Sequence, residues 1–529
     1  MNRRRTVLAL VAALSGCGGG GPLPPEYPAM PEPAAPPAPT PAVVSSVVEP
    51  LRDAVRVLEQ RSASPVVTVR VVFDAGSADD PAGREGVTAL GAQLMVEGGA
   101  GERTYAQITE QLFPMAAQLS VGVDRDQTVF LGRVHRDRLE AFYEIFRDVL
   151  LRPRMQSEDF ERLRTQAQTG LTLELRGNDD EALGKETLQA MLFPAHPYGH
   201  PTLGTEQGLS RIGLDDVRAQ RARVFCAGRA TLGLAGGYPD GFAARVAHDL
   251  GQLSSEACAG RASVPPAEAG DAQIWIVSKP DASSVAVSMG MPVDVERGDP
   301  DYPAIVLATA WLGQHRQFVG RLMQSIRERR GMNYGDYAYP EHFEQDGWGV
   351  FPRPNVARRV QHFSIWLRPL RPDQAHFGIR LALAEFRALV ERGLTEDELT
   401  RIRSYLEGYY ALFLQTESRR LGFAVDDAFY GQDVPWLEAL RASWRGLSAA
   451  DVNAAIRRHL DPSRLQMAIV APDAEAFAER LASEQASPMV YEGRSVGEDV
   501  LAQDREVQGL RIGVPRERIR VVPLDELFR

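Results

Sequence analysis

Two stretches of this chain return in the same order at a nearly constant distance. DFERLR (159–164) recurs as ELTRIR (398–403), and LDDVRAQRARVF (214–225) recurs as AADVNAAIRRHL (449–460). In each copy the second match is followed by an alternating strand and a further short helix. Solenoid and propeller units repeat every 20 to 50 residues or so, and this spacing is far longer. It implies a duplicated unit of about 200 residues. Within a unit, strands and helices mix without the regular βαβ alternation of a doubly wound sheet. The expected class is therefore α+β, with two homologous halves, each an antiparallel sheet with packed helices.

The alternation of apolar residues places the elements. The first half, 65–255, opens on the strand PVVTVRVVFDAG and the helix GREGVTALGAQLM (83–95). A hairpin follows, AAQLSVGVD with QTVFLGRVH, turning at Asp124–Asp126. Three helices come next, one of them SEDFERLRTQAQTGLTLELRG, then the loop PAHPYGHPTLGT. A small, polar, proline-containing linker spans 256–271. The second half, 272–484, repeats the order: two strands, one long helix IVLATAWLGQHRQFVGRLMQSIRERRG, two strands, then helices. Residues 485–529 read as a tail that packs back on the body and carries no chemistry.

The start of the chain bears on location. Arg3, Arg4 and Arg5 precede an apolar run and small residues, the pattern of a secretory signal over 1–16. The run is too short to span a bilayer. From Cys17 to residue 64, Pro, Gly and Ala dominate and read as a semi-extended tether. The net charge of −11, with both signs intermixed, argues against a nucleic-acid partner. Cys226 and Cys258 can pair in an oxidising compartment or stay as buried thiols. No histidine or cysteine lies near them at metal-ligand spacing.

Two resemblances give these features a frame. Leu14-Ser15-Gly16-Cys17 resembles the bacterial lipobox, which implies cleavage before Cys17 and its lipidation. The chain would then be anchored in the cell envelope facing the periplasm, with Gly18 favouring the outer membrane. The succession FDAGSADDPAGREGVTALGAQLM, HPYGHPTLGT and RLMQSIRERRGMNY resembles the insulinase/pitrilysin-type peptidases, the inverted zincins. It is most similar to their two-subunit branch, which includes mitochondrial processing peptidase. The likeness runs from about Pro65 to Ser483 and implies a processing-peptidase-like clamshell half.

In that family His-x-x-Glu-His sets two imidazoles one helical turn apart, and the glutamate takes a proton from zinc-bound water. A later glutamate is the third ligand. Here the resemblance places Ala89 and Gln93 on the histidine positions and Ala92 on the general-base position. The third-ligand position falls at Thr169 or Gly170, with Glu174 the nearest carboxylate. Zinc needs three nitrogen, sulfur or oxygen donors, and two methyl groups with an amide cannot supply them. No histidine precedes Val134, so no register shift restores the site. His196 and His200 flank Pro197 and Gly199, so they share no helix face. His315, His342, His362, His376 and His459 are dispersed and read as packing or surface residues. No metal is expected in this chain, and zinc is expected in a homologous partner.

IRERRGMNYGDY resembles the family's C-terminal arginine/tyrosine pattern, extended by one residue. Arg327 and Tyr334 take those positions, with Met332-Asn333 as a local departure. The resemblance implies that the pair binds substrate backbone and stabilises the tetrahedral intermediate, supplied in trans to a zinc-bearing chain. A guanidinium and a phenol are donors that can be aimed at an oxyanion. Gly331 supplies the sharp exit between the elements that carry them. The glycine-rich substrate loop of the non-catalytic mitochondrial subunit is not evident, since LGQHRQFVGRL holds only Gly313 and Gly320. The expected function is a zinc-less subunit of a periplasmic heteromeric metallopeptidase acting on peptides. The alternative is a non-enzymatic peptide-binding or scaffold lipoprotein.

Overall fold

The first half begins with β1 (Val44–Val47), β2 (Arg56–Arg61) and β3 (Val66–Phe73). Then come α1 (Val87–Glu97), α2 (Tyr105–Leu112), β4 (Gln118–Val123) and β5 (Thr128–His135). Helices α3 (Leu139–Leu151), α4 (Ser157–Thr169), α5 (Asp180–Leu192), α6 (Glu206–Arg211) and α7 (Leu214–Val224) lead to β6 (Ala230–Gly236) and α8 (Phe242–Leu250). The second half follows the same plan, without a helix matching α2. It runs β7 (Ile274–Ser278), β8 (Val285–Val293), α9 (Tyr302–Gly313), β9 (Asp336–Tyr339) and β10 (Gln361–Leu370). Helices α10 (Ala375–Arg392), α11 (Glu396–Tyr409), α12 (Glu417–Phe429), α13 (Trp436–Gly446) and α14 (Ala449–His459) precede β11 (Gln466–Ala471) and α15 (Ala474–Ala482). The chain closes with α16 (Glu498–Val507) and β12 (Ile519–Pro523). This computed structural model describes residues 44–47 and 55–529, except 254, 255, 269, 348 and 494. The signal segment 1–16, Cys17 and the stretch up to residue 43 lie outside the described residues.

The duplication is written into the two sheets. The first has the order β1-β2-β6-β3-β5-β4 and the second β12-β7-β11-β8-β10-β9. In each, the central strand (β3 or β8) is antiparallel to both neighbours. In each, the strand beyond is a parallel pair, β2 with β6 and β7 with β11. Strands β3, β6, β8 and β11 are buried along nearly their whole length, because helices cover one face and the other half covers the other. Helix α9 shows the consequence for composition. Eleven of the twelve residues of YPAIVLATAWLG, all but Pro303, are buried, and a helix that is apolar all round belongs inside.

Four sequence expectations need correction. The segment 17–64 is not a tether throughout, since β2 lies within it and pairs residue by residue with β6, and β1 pairs with β2. Val57 and Leu58 are buried there, which is why VL between charged residues holds a strand. The tail is part of the second sheet, because β12 runs parallel to β7 at its edge. The long helix 305–331 is broken. Helix α9 stops at Gly313, Arg316 takes a left-handed φ of +52°, and a π-helix spans Met323–Glu328. Gly313 and Gly320 permit the break, since a Cβ on Gly320 would stand 2.7 Å from the Gly313 Cα. Finally, SEDFERLRTQAQTGLTLELRG leaves the α-helical path after Thr169 and continues as a π-helix over Gly170–Asn178.

The halves exchange one helix each. Helix α5 leaves the first half and lies on β8 and β11, with Leu188 Cδ2 3.1 Å from a Cβ built on Gly290. Helix α12 leaves the second half and lies on β6 and β2, with Leu421 at 3.1 to 3.2 Å over Gly233. Each glycine lets a leucine sit close to the strand backbone. Cys226, just after α7, is joined to Cys258 in the linker by a disulfide with a Cα–Cα distance of 6.0 Å. Among the described residues no helix is long and apolar enough to cross a membrane.

Candidate functional site

Helix α1 occupies the place of the zinc-motif helix. Gly86 enters it with φ +102°, and the Asp80 carboxylate accepts hydrogen bonds from Gly86 N (2.7 Å) and Thr88 N (3.0 Å). Burial pushes the Asp80 carboxyl up to about 7 against those bonds. Ala92 is fully buried, while Ala89 and Gln93 are half-buried. The Gln93 amide donates to Glu97 one turn on. Gly170, at the third-ligand position, opens the π-helix, and a Cβ there would lie 3.6 Å from Leu203 and 3.9 Å from Glu174 Oε2. Glu174 itself is exposed. These residues do not fit zinc, because the helix face offers methyl groups and one committed amide. Among the described residues no group of three His, Cys, Asp or Glu side chains is placed to hold a metal ion.

The histidines are packing residues with defined partners. His196 Nδ1 accepts from Tyr198 N (3.0 Å), which leaves Nε2–H to donate to the Pro265 carbonyl (2.8 Å). His200 Nδ1 donates to the Pro201 carbonyl at 2.9 Å. Folding does bring His342 and His362 together, with ring centroids 6.2 Å apart, a proximity that their sequence positions do not show. Arg358 Nη2 donates to His342 Nε2 at 2.9 Å, and burial with Arg358 pushes His362 down to about 3. A guanidinium beside two neutral imidazoles repels a metal cation rather than inviting one.

Arg327 and Tyr334 flank the turn into β9. Gly331 has φ +65°, and its N–H closes onto the Arg327 carbonyl at 2.7 Å. That is a left-handed helix exit of the kind glycine supplies. Arg327 is half-buried, with its guanidinium 5.1 Å from the Phe318 ring and 3.9 Å from Met323 Sδ. Among the described residues it has no carboxylate within ion-pair distance. Tyr334 is 81% exposed. Among the described residues neither donor is engaged by a carboxylate or a carbonyl. Neither lines the cavity between the halves.

That cavity has a volume of 480 Å³ and lies between α5, the open face of the second sheet and the loop after α9. Strand β10 sets its floor. His362, Ser364, Trp366 and Arg368 alternate along one face and line it, while Phe363, Ile365 and Leu367 face the core. The far wall is a polar lock made by the β4–β5 turn. Asp124 takes two hydrogen bonds from Arg358 (3.0 and 2.7 Å), Arg125 pairs with Glu186 (2.8 Å), and Asp126 pairs with Arg359 (2.6 Å). Burial alone would raise the Asp124 carboxyl, but the Arg358 guanidinium outweighs it and holds it well below the usual range. Nothing in the sequence marks Arg358 and Arg359, since their partners lie in the other half.

Comparison with known proteins agrees with this geometry. The model of the insulinase family, peptidase family M16, matches residues 55–206, and that of the peptidase M16 inactive domain matches residues 211–406. The first match begins at β2 rather than at Pro65. The non-peptidase homolog YmxG of Helicobacter pylori is 24% identical over 421 residues, covering 78% of this chain and 91% of that protein. An uncharacterized zinc protease of Mycobacterium bovis is 24% identical over 402 residues, covering 73% of this chain and 85% of its own length. The solved structure of a peptidase M16 inactive domain from Pseudomonas fluorescens superposes with a TM-score of 0.70 at 23% identity, over 81% of this chain and 97% of that one. Two sheets of one topology, exchanged helices and a core helix where zinc ligands would stand all fit one conclusion: the chain belongs to the insulinase peptidase family, M16, as a member without the zinc-binding motif.

Proposed function

We infer that this chain is the zinc-less subunit of a heteromeric peptidase of the cell envelope, held at the membrane through a lipid on Cys17 and facing the periplasm, with the outer membrane favoured. Its partner is a homologous chain that carries zinc, and its substrate is a peptide. One observation carries the reading: the zinc-motif helix is filled with core, while among the described residues Arg327 meets only Phe318 and Met323 Sδ, with no carboxylate, and Tyr334 is exposed. Donors without an internal role suit a surface that faces a second chain. There they would bind the substrate backbone and donate to the oxyanion of the tetrahedral intermediate, an effect whose removal costs roughly 10²–10³-fold in turnover.

The test uses the chain and a secreted homologue that retains His-x-x-Glu-His, encoded in the same genome. The pure chain binds no zinc and cleaves no peptide, and mixing gives activity. Arg327→Ala and Tyr334→Phe lower the kcat of the mixture while the melting temperature stays unchanged. Wild-type turnover with both variants would remove the role. The second reading, a peptide-binding or scaffold lipoprotein without enzymatic action, is favoured by the name of the Helicobacter relative, a non-peptidase homolog. It predicts that no mixture with a zinc-bearing homologue gains activity.

A further inference from the structure

The cavity between α5 and the second sheet is lined by four cations; Arg358 is engaged by Asp124, and of the other three, Lys185, Arg316 and Arg368, only one has a carboxylate partner inside it. Lys185, on α5, stands with Nζ 3.2 Å from the centroid of the Trp366 ring and has no carboxylate within ion-pair distance among the described residues. Arg316, in the broken stretch after α9, is half-buried, lines the cavity and likewise has no acceptor among the described residues. Arg368 pairs with Glu181, its Nε 3.3 Å from Glu181 Oε1. Trp366 is 8% exposed and its indole N–H also lacks an acceptor. The other three acids of the lining are engaged elsewhere, Asp179 by the Ala182 N–H at 2.9 Å, Glu186 by Arg125 and Glu344 by Arg353.

Burial of an unpaired donor or charge is costly. Arg316, half-buried and without an acceptor among the described residues, stands at the same cavity as the unpaired Lys185, and the two point to an acceptor supplied from outside. The three cations also act together on their surroundings. Burial first, with Arg316, Lys185 and Arg368 adding to it, pushes the neighbouring His315 down to about 3. The remaining lining includes aliphatic and aromatic side chains, among them Leu188, Leu203, Tyr339 and Phe343, which suit an apolar body behind the charged group. The volume lies within the roughly 300–1,000 Å³ of small-ligand sites.

We propose that this cavity binds the carboxylate of a peptide, held by Lys185 and Arg316 with Arg368 beside them. The carboxylate can come from a chain terminus or from an acidic side chain. A planar carboxylate matches the guanidinium fork, and the aromatic lining accepts the residue that bears it. The site lies within one chain, so this inference does not rest on pairing with a zinc subunit. It is tested on the isolated protein.

The experiment is calorimetric titration with three probes: acetyl-Gly-Gly-Phe as the free acid, the same peptide with a C-terminal amide, and acetyl-Gly-Gly-Glu amide. The expected result is saturable binding of the free acid and at least tenfold weaker binding of the first amide. Binding of the glutamate amide assigns a side-chain source, and its failure assigns the chain terminus. Lys185→Gln and Arg316→Gly each raise the Kd at least tenfold with the melting temperature held or raised, and glycine tolerates the left-handed φ of residue 316. Equal binding of acid and amide, no binding of any probe at millimolar concentration, displacement by inorganic phosphate at lower concentration than the peptide, or wild-type affinity in both folded variants would each overturn the proposal.

Discussion

Each half lends one helix to the other half's sheet, and the two loans end differently. Where α12 lies on the first sheet, the contact is closed. Leu421 and Val425 pack with Leu58, Val72, Val129 and Ala235. Arg70, a cation on the central strand, is met by Asn355 and Ser418, and Asn355 is held in turn by Asp426 at 3.0 Å. Where α5 lies on the second sheet, Leu188 and Leu192 in its last turns pack over Gly290, and Gly184 nearer its start lies against Val470. Its first turns border the 480 Å³ cavity with its unmatched cations. One duplicated plan has thus produced a structural seam and an open one. The lesson concerns stability against function: the closed seam meets its buried cation with neutral polar partners, Arg70 Nε excepted, and the other leaves Lys185 and Arg316 at an open cavity.

The comparison breaks first at the polar lock shared by both seams. Arg358→Ala leaves Asp124 buried beside His342 with no cation on it, and should cost about 3–5 kcal/mol, read as a fall in the denaturant midpoint. The pH dependence carries the sign. The folded pKa of Asp124 is depressed, so its contribution is complete above the unfolded value of about 3.9 and is lost as pH falls below it. The wild type should therefore lose stability steeply below about pH 4, and the variant less so, because protonation now relieves its stranded carboxylate. An unchanged acid limb in the variant would mean that the lock is not what joins the halves.

The closed seam comes next. Leu421→Ala removes a fully buried side chain from over Gly233 and should cost about 2–5 kcal/mol. Leu188→Ala, beside the cavity, should fall at the low end of that range, since its surroundings already border open space. Equal losses would say that the two seams are alike in packing. Urea unfolding of both variants decides it.

How much of this was legible depends on where the partner of each residue lies. The duplication, the α+β class, the β4–β5 hairpin and the emptied motif at Ala89, Ala92 and Gln93 all rest on local pattern, and local pattern survives in one sequence. Strand β2 was missed because VL flanked by charges is short and its pairing with β6 is remote in sequence. The second half already showed two strands where the first showed one, and that asymmetry was the available signal. The break after α9 was hidden because VLATAWLG and VGRLMQSI carry the same helical spacing on both sides of it, while Gly313 and Gly320 act only when they meet in space. Arg327 and Tyr334 were visible through the family frame alone. Lys185, Arg316, Arg368 and Trp366 were not visible at all, because a cation on an amphipathic helix, a loop arginine and two alternate residues of a strand converge only after α5 has crossed to the other half.

The smallest effect tests the open seam without any ligand. Lys185 is open to solvent on one side and crowded by protein on the others, and that crowding pushes its ammonium down to about 8. A lysine with a depressed folded pKa binds fewer protons folded than unfolded between that value and its ordinary one of about 10.4. Stability should then rise slightly as pH climbs from about 8 to 10, with solvent on the open side keeping the rise small. Lys185→Gln should abolish this rise, and Lys185→Arg should shift it out of range, while neither change lowers the melting temperature at neutral pH. If the wild type and Lys185→Gln showed the same slope across that window, Lys185 would be an ordinary surface lysine. The difference between the two seams would then be one of packing and not of charge.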